Sequence, residues 1–223
     1  MTDSSSAMGK RKWNLMKGFL ADIISRLHIS ERRIRVASVQ FSSSASTINW
    51  FFNNYTDNLS LQKAVHALPY LSDKVNFANG LDLLKTYIFN PDHGDRPGVK
   101  NILVVLSSSK HLVGLSDTIS RDTQLQKLAD IVPVSIGKTS PSDFQRVLNN
   151  NKYLVDVESF NSLANEKNKS IDYVCSAMTT ALVASLRFQK TTGKFFFQHN
   201  LLSRQCQKCH NSIDPYAMIV YNV

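Results

Sequence analysis

Two short stretches carry residue types at spacings that could do chemistry: Thr2-Asp3-Ser4-Ser5-Ser6-Ala7-Met8-Gly9 near the start, and Cys206-Gln207-Lys208-Cys209-His210 near the end. In the first, an aspartate and a run of hydroxyls stand just ahead of a helical apolar pattern. Oxygen ligands of that kind, where a strand passes into a helix, are what a hard divalent cation takes. The second is C-x-x-C-H, the c-type haem attachment pattern, in which two thiols bond the vinyl groups and the histidine supplies an axial ligand. Joined by His199, the same three side chains would equally make a zinc tetrad. Both stretches also have plain structural readings. Asp3 or a serine can cap a helix by accepting from its first free amides, and Cys206 and Cys209 can close a disulfide or lie in an unstructured tail. A haem further needs an apolar enclosure, for which Phe195 to Phe197, His199 and Met218 are the residues at hand, and nothing in the pattern requires it.

No nucleophile, base and orienting acid can be assembled from named positions, and no glycine-rich phosphate loop occurs, so the chain does not read as an enzyme. Its 223 residues suffice for one well-buried domain and an appendage. A hydrophobic share of 43% with 19% charged residues is ordinary for a globular protein, and no run approaches the ~20 apolar residues of a membrane span. The formal charge of +9 favours anionic partners in general. Its cations are dispersed, however, apart from Lys10-Arg11-Lys12 and Arg32-Arg33-Ile34-Arg35, and no interleaved aromatics accompany them. That pattern predicts solvated faces and weak polyanion binding, not a nucleic-acid interface. Met1 is followed by Thr2 and Asp3, not by a basic segment and an apolar run, so the sequence shows no signal peptide.

The elements that must hold these stretches follow from periodicity. Trp13, Met16, Leu20, Ile23, Ile24 and Leu27 recur at three-to-four spacing and predict a helix over 10–28. Residues 34–41 and 47–52 predict two strands joined as a hairpin through Ser42 to Ser46. Two helices follow, one with Leu61, Val65 and Leu68 on its apolar face and one with Phe77, Leu81, Leu84 and Ile88. Pro91, Gly94, Pro97 and Gly98 then break the pattern before residues 101–107, whose uniform apolarity is that of a strand buried on both faces. Helices at about 120–129, 141–148 and 171–186 alternate with strands at 131–137 and 153–157. Such alternation predicts an α/β fold with a doubly wound, mostly parallel sheet, one antiparallel edge strand and ligands at the carboxyl ends of the strands. Beyond residue 186 clear periodicity ends, which divides the chain into a domain at 1–186 and an irregular tail at 187–223.

In this order the landmarks resemble a von Willebrand factor type A domain, the integrin I-domain-like, Rossmann-like three-layer fold. TDSSSAMGKRKWNLMKGF is similar to that family's first loop and helix, IRVASVQFSSSASTINWFF to its second strand and edge hairpin, and NILVVLSSS to its fourth strand and ion loop. LQKAVHALPYLSDKVNFANGLDLL resembles the segment with its threonine loop, and LADIVPVSIG and YLVDVESFNSL its fifth and sixth strands. The resemblance implies a metal-ion-dependent adhesion site with an Asp-x-Ser-x-Ser loop, a threonine and a second aspartate. Asp3 and Ser5 match the first two positions, whereas Ala7, Val75 and Ser108 stand where the other three belong. Asp3, Ser5, Ser6, Asp73, Asn76, Ser107 and Ser108 are therefore the expected loop residues of a degenerate ion site, with no resident cofactor. Magnesium, or haem c or zinc on Cys206, Cys209 and His210, is the alternative.

The resemblance further implies a secreted, non-enzymatic matrix or cell-surface module. It would bind collagen or another matrix protein through Asp3 to Ser6, Ser72 to Asn76 and Ser107 to His111, helped by Lys74, Lys110 and Arg121. A redox or metal-binding protein built on the tail is the rival reading. The family carries an apolar strand directly ahead of the aspartate, in the middle of the sheet. Only Met1 and Thr2 precede Asp3, so that central strand is expected to be missing, along with a signal peptide and a cysteine partner for Cys175.

Overall fold

The computed structural model describes residues 2–3, 9–41, 46–72, 77–99, 101–108, 118–138, 140–150, 153–165 and 217–222, with 168, 172, 175 and 176. One seven-stranded sheet organises them. In chain order its strands are β1 (Thr2–Asp3), β2 (Arg35–Phe41), β3 (Thr47–Trp50), β4 (Asn101–Ser108), β5 (Ala129–Ile136), β6 (Val155–Val157) and β7 (Ala217–Asn222). The helices are α1 (Gly9–Ser25), α2 (Asn58–Ala67), α3 (Phe77–Leu83), α4 (Thr123–Leu128), α5 (Pro141–Asn150) and α6 (Phe160–Asn165). Every pairing is parallel except the β2–β3 hairpin, which shifts register between Ser38 and Val39. The α/β architecture with one antiparallel edge strand is as the sequence predicts. Helix 160–165 is an addition, and α3 continues into a π turn at Leu84–Ile88 that periodicity alone did not predict. Most of the helix expected at 171–186 lies outside the described residues.

The central lane differs from expectation. β2 and β4 do not pair with each other, and the N-terminal segment contributes only Thr2 and Asp3 between them. The rest of the lane is filled by β7, drawn from a tail expected to be irregular. Arg35, Val36, Ala37 and Gln40 pair with Ala217, Met218, Ile219 and Asn222 on one side, and Ile102 to Leu106 pair with Met218 to Asn222 on the other. The physical reason is backbone accounting. An empty interior lane would leave two rows of buried N–H and C=O groups without partners, and six apolar-rich residues in extended conformation satisfy both rows at once.

Alternation along the strands makes two cores. Val36, Ile102, Val104, Leu106, Val132, Val134 and Ile136 face Trp13, Met16, Leu20, Ile23 and Ile24 of α1 and Leu61 and Val65 of α2. Ala37, Val39, Phe41, Leu103, Val105 and Ile131 face Phe52, Leu81, Leu84, Ile88, Leu125 and Val147. Burial on both faces is what gives β4 its unbroken apolar sequence.

The end of α1 is tied down by one side chain. Asn58 Nδ2 donates to the carbonyls of Ile24 (2.6 Å) and Leu27 (2.7 Å), while its Oδ1 accepts from the Ile29 amide (3.3 Å). It thereby adds a second donor to the Ile24 carbonyl, which also accepts the Leu27 amide (3.0 Å), and holds the chain just beyond the last turn. Lys17 Nζ does the same for α2, donating to His66 O (2.9 Å) and Leu68 O (3.3 Å).

Gly80 lies in α3 against the ring of Phe41, which is buried, and a Cβ on Gly80 would overlap that ring. Gly18, in α1, has nothing within 4 Å of the same atom. Gly80→Ala should therefore cost about 1–3 kcal/mol or more through overpacking, whereas Gly18→Ala should add up to about 1 kcal/mol of stability through helix propensity. Urea unfolding of the two variants beside the parent chain checks the pair of signs.

Candidate functional site

Strand register brings two of the sequence-predicted loops together. Asp3 ends β1 opposite Phe41, and Thr2 pairs with both Gln40 and Leu106, so Ser107 and Ser108 follow on β4 at the level of Asp3. All these strands are parallel here, and the carboxyl ends of β1, β2 and β4 form one rim.

Two buried polar atoms at this rim lack partners among the described residues. Ser107 is fully buried and its Oγ has no hydrogen bond. Gln40 is buried too; its Nε2 donates to Pro69 O (3.0 Å), but Oε1 accepts nothing. An orphaned buried group forfeits about 1–3 kcal/mol of solvation, so the carboxyl end of the central lane is locally under-satisfied. Ser108 is half-buried and is bonded.

The loop from α2 reaches the same side of α1. Tyr70, whose ring lies 6.3 Å from that of Trp13, accepts the Gly9 amide at the start of α1 through its hydroxyl (3.1 Å). Two residues on, Ser72 is exposed and holds φ 53°, the left-handed region that a β-carbon disfavours. Asp73 follows it directly in the sequence. Asp73, Lys74, Val75 and Asn76 themselves lie outside the described residues, as do Ser5, Ser6, Ala7, Lys110, His111, His199, Cys206, Cys209 and His210. Of the residues named as haem ligands or enclosure, Met218 alone is described, and its backbone is committed to the sheet between Val36 and Ile102. Arg121 is exposed just ahead of α4.

Beside Arg121 sits an ion pair that the sequence did not disclose. Lys85 Nζ lies 2.8 Å from Asp122 Oδ2 and 3.2 Å from Asp82 Oδ1. Asp122 Oδ1 also caps α4 by accepting the Leu125 amide at 2.9 Å. Burial pushes the Asp122 carboxyl up, but the hydrogen bonds from Lys85 and the Leu125 amide outweigh it and hold the group below its ordinary 3.8. The hydrogen bond to Asp122 in turn raises Lys85 above 10.5 despite burial. Only the i,i+3 contact of Asp82 with Lys85 could have been read from spacing; Asp122 is brought in from 37 residues away.

Among the described residues no three His, Cys, Asp or Glu side chains are grouped so as to hold a metal, and no helix is long and apolar enough to cross a membrane.

With this geometry in hand, the von Willebrand factor type A domain model matches residues 1–170. Similar proteins include von Willebrand factor A domain-containing protein 2 of Xenopus laevis, 25% identical over 78% of this chain and 22% of its own length. Collagen alpha-1(XII) chain of Notophthalmus viridescens is 22% identical over 80% of this chain and 19% of its length. The chain thus spans about a fifth of those relatives. Among solved structures, the proximal thread matrix protein 1 of the mussel byssus superposes with a TM-score of 0.60 at 15% identity, over 78% of this chain and 46% of that one. A form of that protein has been solved with a zinc-occupied MIDAS motif. The manganese-loaded TRAP protein of Plasmodium vivax superposes at 0.53 with 14% identity, over 73% of this chain and 68% of its own.

The Asp122 pair makes a pH-dependent prediction. A carboxylate held below its unfolded value contributes stability that is complete above about pH 4 and is lost as pH falls through the folded value. Lys85, held above 10.5, contributes below that pH and stops contributing as pH rises past its folded value. Asp122→Asn keeps a capping side chain but removes the charge. It should cost about 1–2 kcal/mol at pH 7, a partly screened charged hydrogen bond, and the cost should shrink as pH falls from 3.8 through the folded value, as guanidinium denaturation at each pH will show.

Proposed function

Since the chain belongs to the von Willebrand factor type A domain family, we propose that it is a non-enzymatic adhesion module of an extracellular matrix or cell-surface protein, binding collagen or another matrix partner at the rim just described. The observation that carries this reading is the convergence of β1, β2 and β4 on one carboxyl edge, with Asp3 level with the Ser107–Ser108 end of β4. Ligands of parallel α/β sheets sit at the carboxyl ends of the strands, and a macromolecular partner would meet these three strand ends together. Support comes from the relatives, which include collagen chains and a thread matrix protein.

Recognition here is independent of metal. A hard divalent cation needs several charged oxygens to offset its dehydration. Of the five motif positions only Asp3 brings a carboxylate; Ser5 and Ser108 bring neutral hydroxyls, and Ala7 and Val75 bring no oxygen. The orphaned Ser107 hydroxyl adds an oxygen but no charge. That donor set does not fit the ion, and the ion site is degenerate. Loop shape, backbone groups and the cations Lys74, Lys110 and Arg121 then do the recognising, outside the cell.

Binding of the chain to a panel of immobilised matrix proteins that includes collagens tests the proposal. At least one collagen or matrix protein should bind saturably, with a Kd that a chelator leaves unchanged; binding abolished by chelator would sink the metal-independent reading. Millimolar Mg²⁺ or Mn²⁺ should shift Tm by less than about 1 °C, because stabilisation follows the logarithm of ligand over Kd. The triple change Ala7→Ser, Val75→Thr and Ser108→Asp should create a metal-dependent shift of several degrees. A heparin column should retain the chain weakly and release it at modest ionic strength, since only a few dispersed cations displace counterions.

A further inference from the structure

The loop that leads into β4 carries a charge that its surroundings leave unanswered. Arg96 is half-buried as a residue, yet all three nitrogens of its guanidinium are buried, and none has a hydrogen-bond partner among the described residues. Five N–H donors in a fixed fork are thus withheld from water with nothing to meet them. An uncompensated buried charge is strongly destabilising.

The neighbouring side chains increase the excess. Arg35, which opens β2, holds its guanidinium beside the same loop by donating to the carbonyls of Glu31 (2.9 Å) and Gly94 (2.9 Å). Burial, then the Arg35 charge, lower Arg96 to about 10. The carboxylate beside Arg96 in sequence, Asp95, is committed elsewhere: it accepts the Arg96 amide (2.9 Å) and the side chain of Asn101. Burial moves Asp95 up, towards its neutral form. Asn101 is itself buried with Oδ1 unpartnered among the described residues, so it too gives the guanidinium nothing.

Position and charge together define what would fit. Arg35 and Asn101 begin β2 and β4, so the cluster lies at the amino ends of these strands, the pole opposite the rim. Pro97 and Gly98 are exposed, and the Val99 amide donates to Arg96 O (3.1 Å), so the cluster sits beside a surface turn. Two guanidinium charges against the Asp95 carboxylate leave a single positive charge in excess. A monoanion cancels it, whereas a sulfate or phosphate dianion overshoots beside Asp95. A planar carboxylate also matches a guanidinium fork with two parallel hydrogen bonds.

We propose that Arg96 and Arg35 form a binding site for a single carboxylate, at the pole of the domain away from the rim. The Arg96 fork takes the two oxygens, and Arg35 supplies the second charge that holds them. The carboxylate comes either as a small free acid or as an Asp or Glu side chain of a partner protein, and the chemistry at the guanidinium is the same for both. The inference rests on this charge cluster and is independent of what the rim binds.

Equilibrium dialysis of the parent chain at pH 7 against radiolabelled formate should show one formate bound per chain, displaced by acetate and retained in sodium chloride of equal ionic strength, with sulfate a poor competitor. An end-blocked Gly-Glu-Gly peptide separates the two sources. Displacement of formate at lower concentration than acetate requires points to a partner's side chain, and displacement by acetate alone to a free acid; either supports the site. Formate at about ten times its Kd should raise Tm by about 3–6 °C. Arg96→Met keeps the stem and removes the charge. It should abolish formate binding and leave the formate-free Tm unchanged or higher, because an uncompensated buried charge is gone. Should Arg96→Met fail to fold, dialysis of the parent chain still decides. No bound formate or peptide, binding that chloride removes equally well, or a lower formate-free Tm in Arg96→Met, as a charge already compensated would give, would each overturn the proposal.

Discussion

The rest of the structure depends on one constraint, that something must stand between β2 and β4. Each of these strands presents a row of buried backbone donors and acceptors toward the other, and the two rows lie a full strand apart. The apolar faces multiply the cost of leaving that space open, because Val36 and Ala37 on one side and Ile102 to Leu106 on the other are packed against both helical layers. An empty lane would admit water to both cores at once, whereas a filled lane fixes the spacing on which α1 and α3 pack. Strand pairing and hydrophobic burial are thus parts of one cooperative unit, with Ala217–Asn222 as the piece that completes it.

The helical layers reinforce the lane without being able to replace it. Asn58 and Lys17 bind α1 and α2 through the carbonyls of their last turns, and Tyr70 binds the first amide of α1. These contacts hold the helices to one another and to the loop at the rim. None of them crosses the lane, so they keep α1 in place while leaving the register of the central strands to backbone pairing alone.

How much of this could be read from sequence depends on the range of the interaction. The helix at 9–25 was legible because Trp13, Met16, Leu20, Ile23 and Ile24 repeat at the helical period, and β4 because its run is apolar throughout. Both signals are local. The segment Ala217 to Asn222 has an equally good local signal, apolar and extended, but its meaning is a vacancy between strands some 65 residues apart in sequence, and the nearby C-x-x-C-H pattern drew attention instead. Lys85 and Asp122 escaped for the same reason, since neither residue type is unusual and only packing of α3 beside the start of α4 joins them. Register places Asp3, Ser107 and Ser108, three of the residues expected in the loops, at one carboxyl rim. The orphaned Oε1 of Gln40 was not foreseen, because a glutamine in an apolar strand carries no sign of which of its atoms will find a partner.

A last step joins the lane to the rim. Among the described residues Thr2 and Asp3 pair with Gln40, Phe41 and Leu106, two of which also hold Asn222. The spacing of Gln40 and Leu106 is set by the strand between them, so the backbone position of Asp3 is conditional on β7 being seated. Any partner that engages the rim in its completed form therefore binds the filled lane better than the empty one. By reciprocity of binding free energies, seating the strand must strengthen that partner's binding by the same factor. Asp3 and the strand Ala217–Asn222 that sets the spacing around it are in this sense a single device.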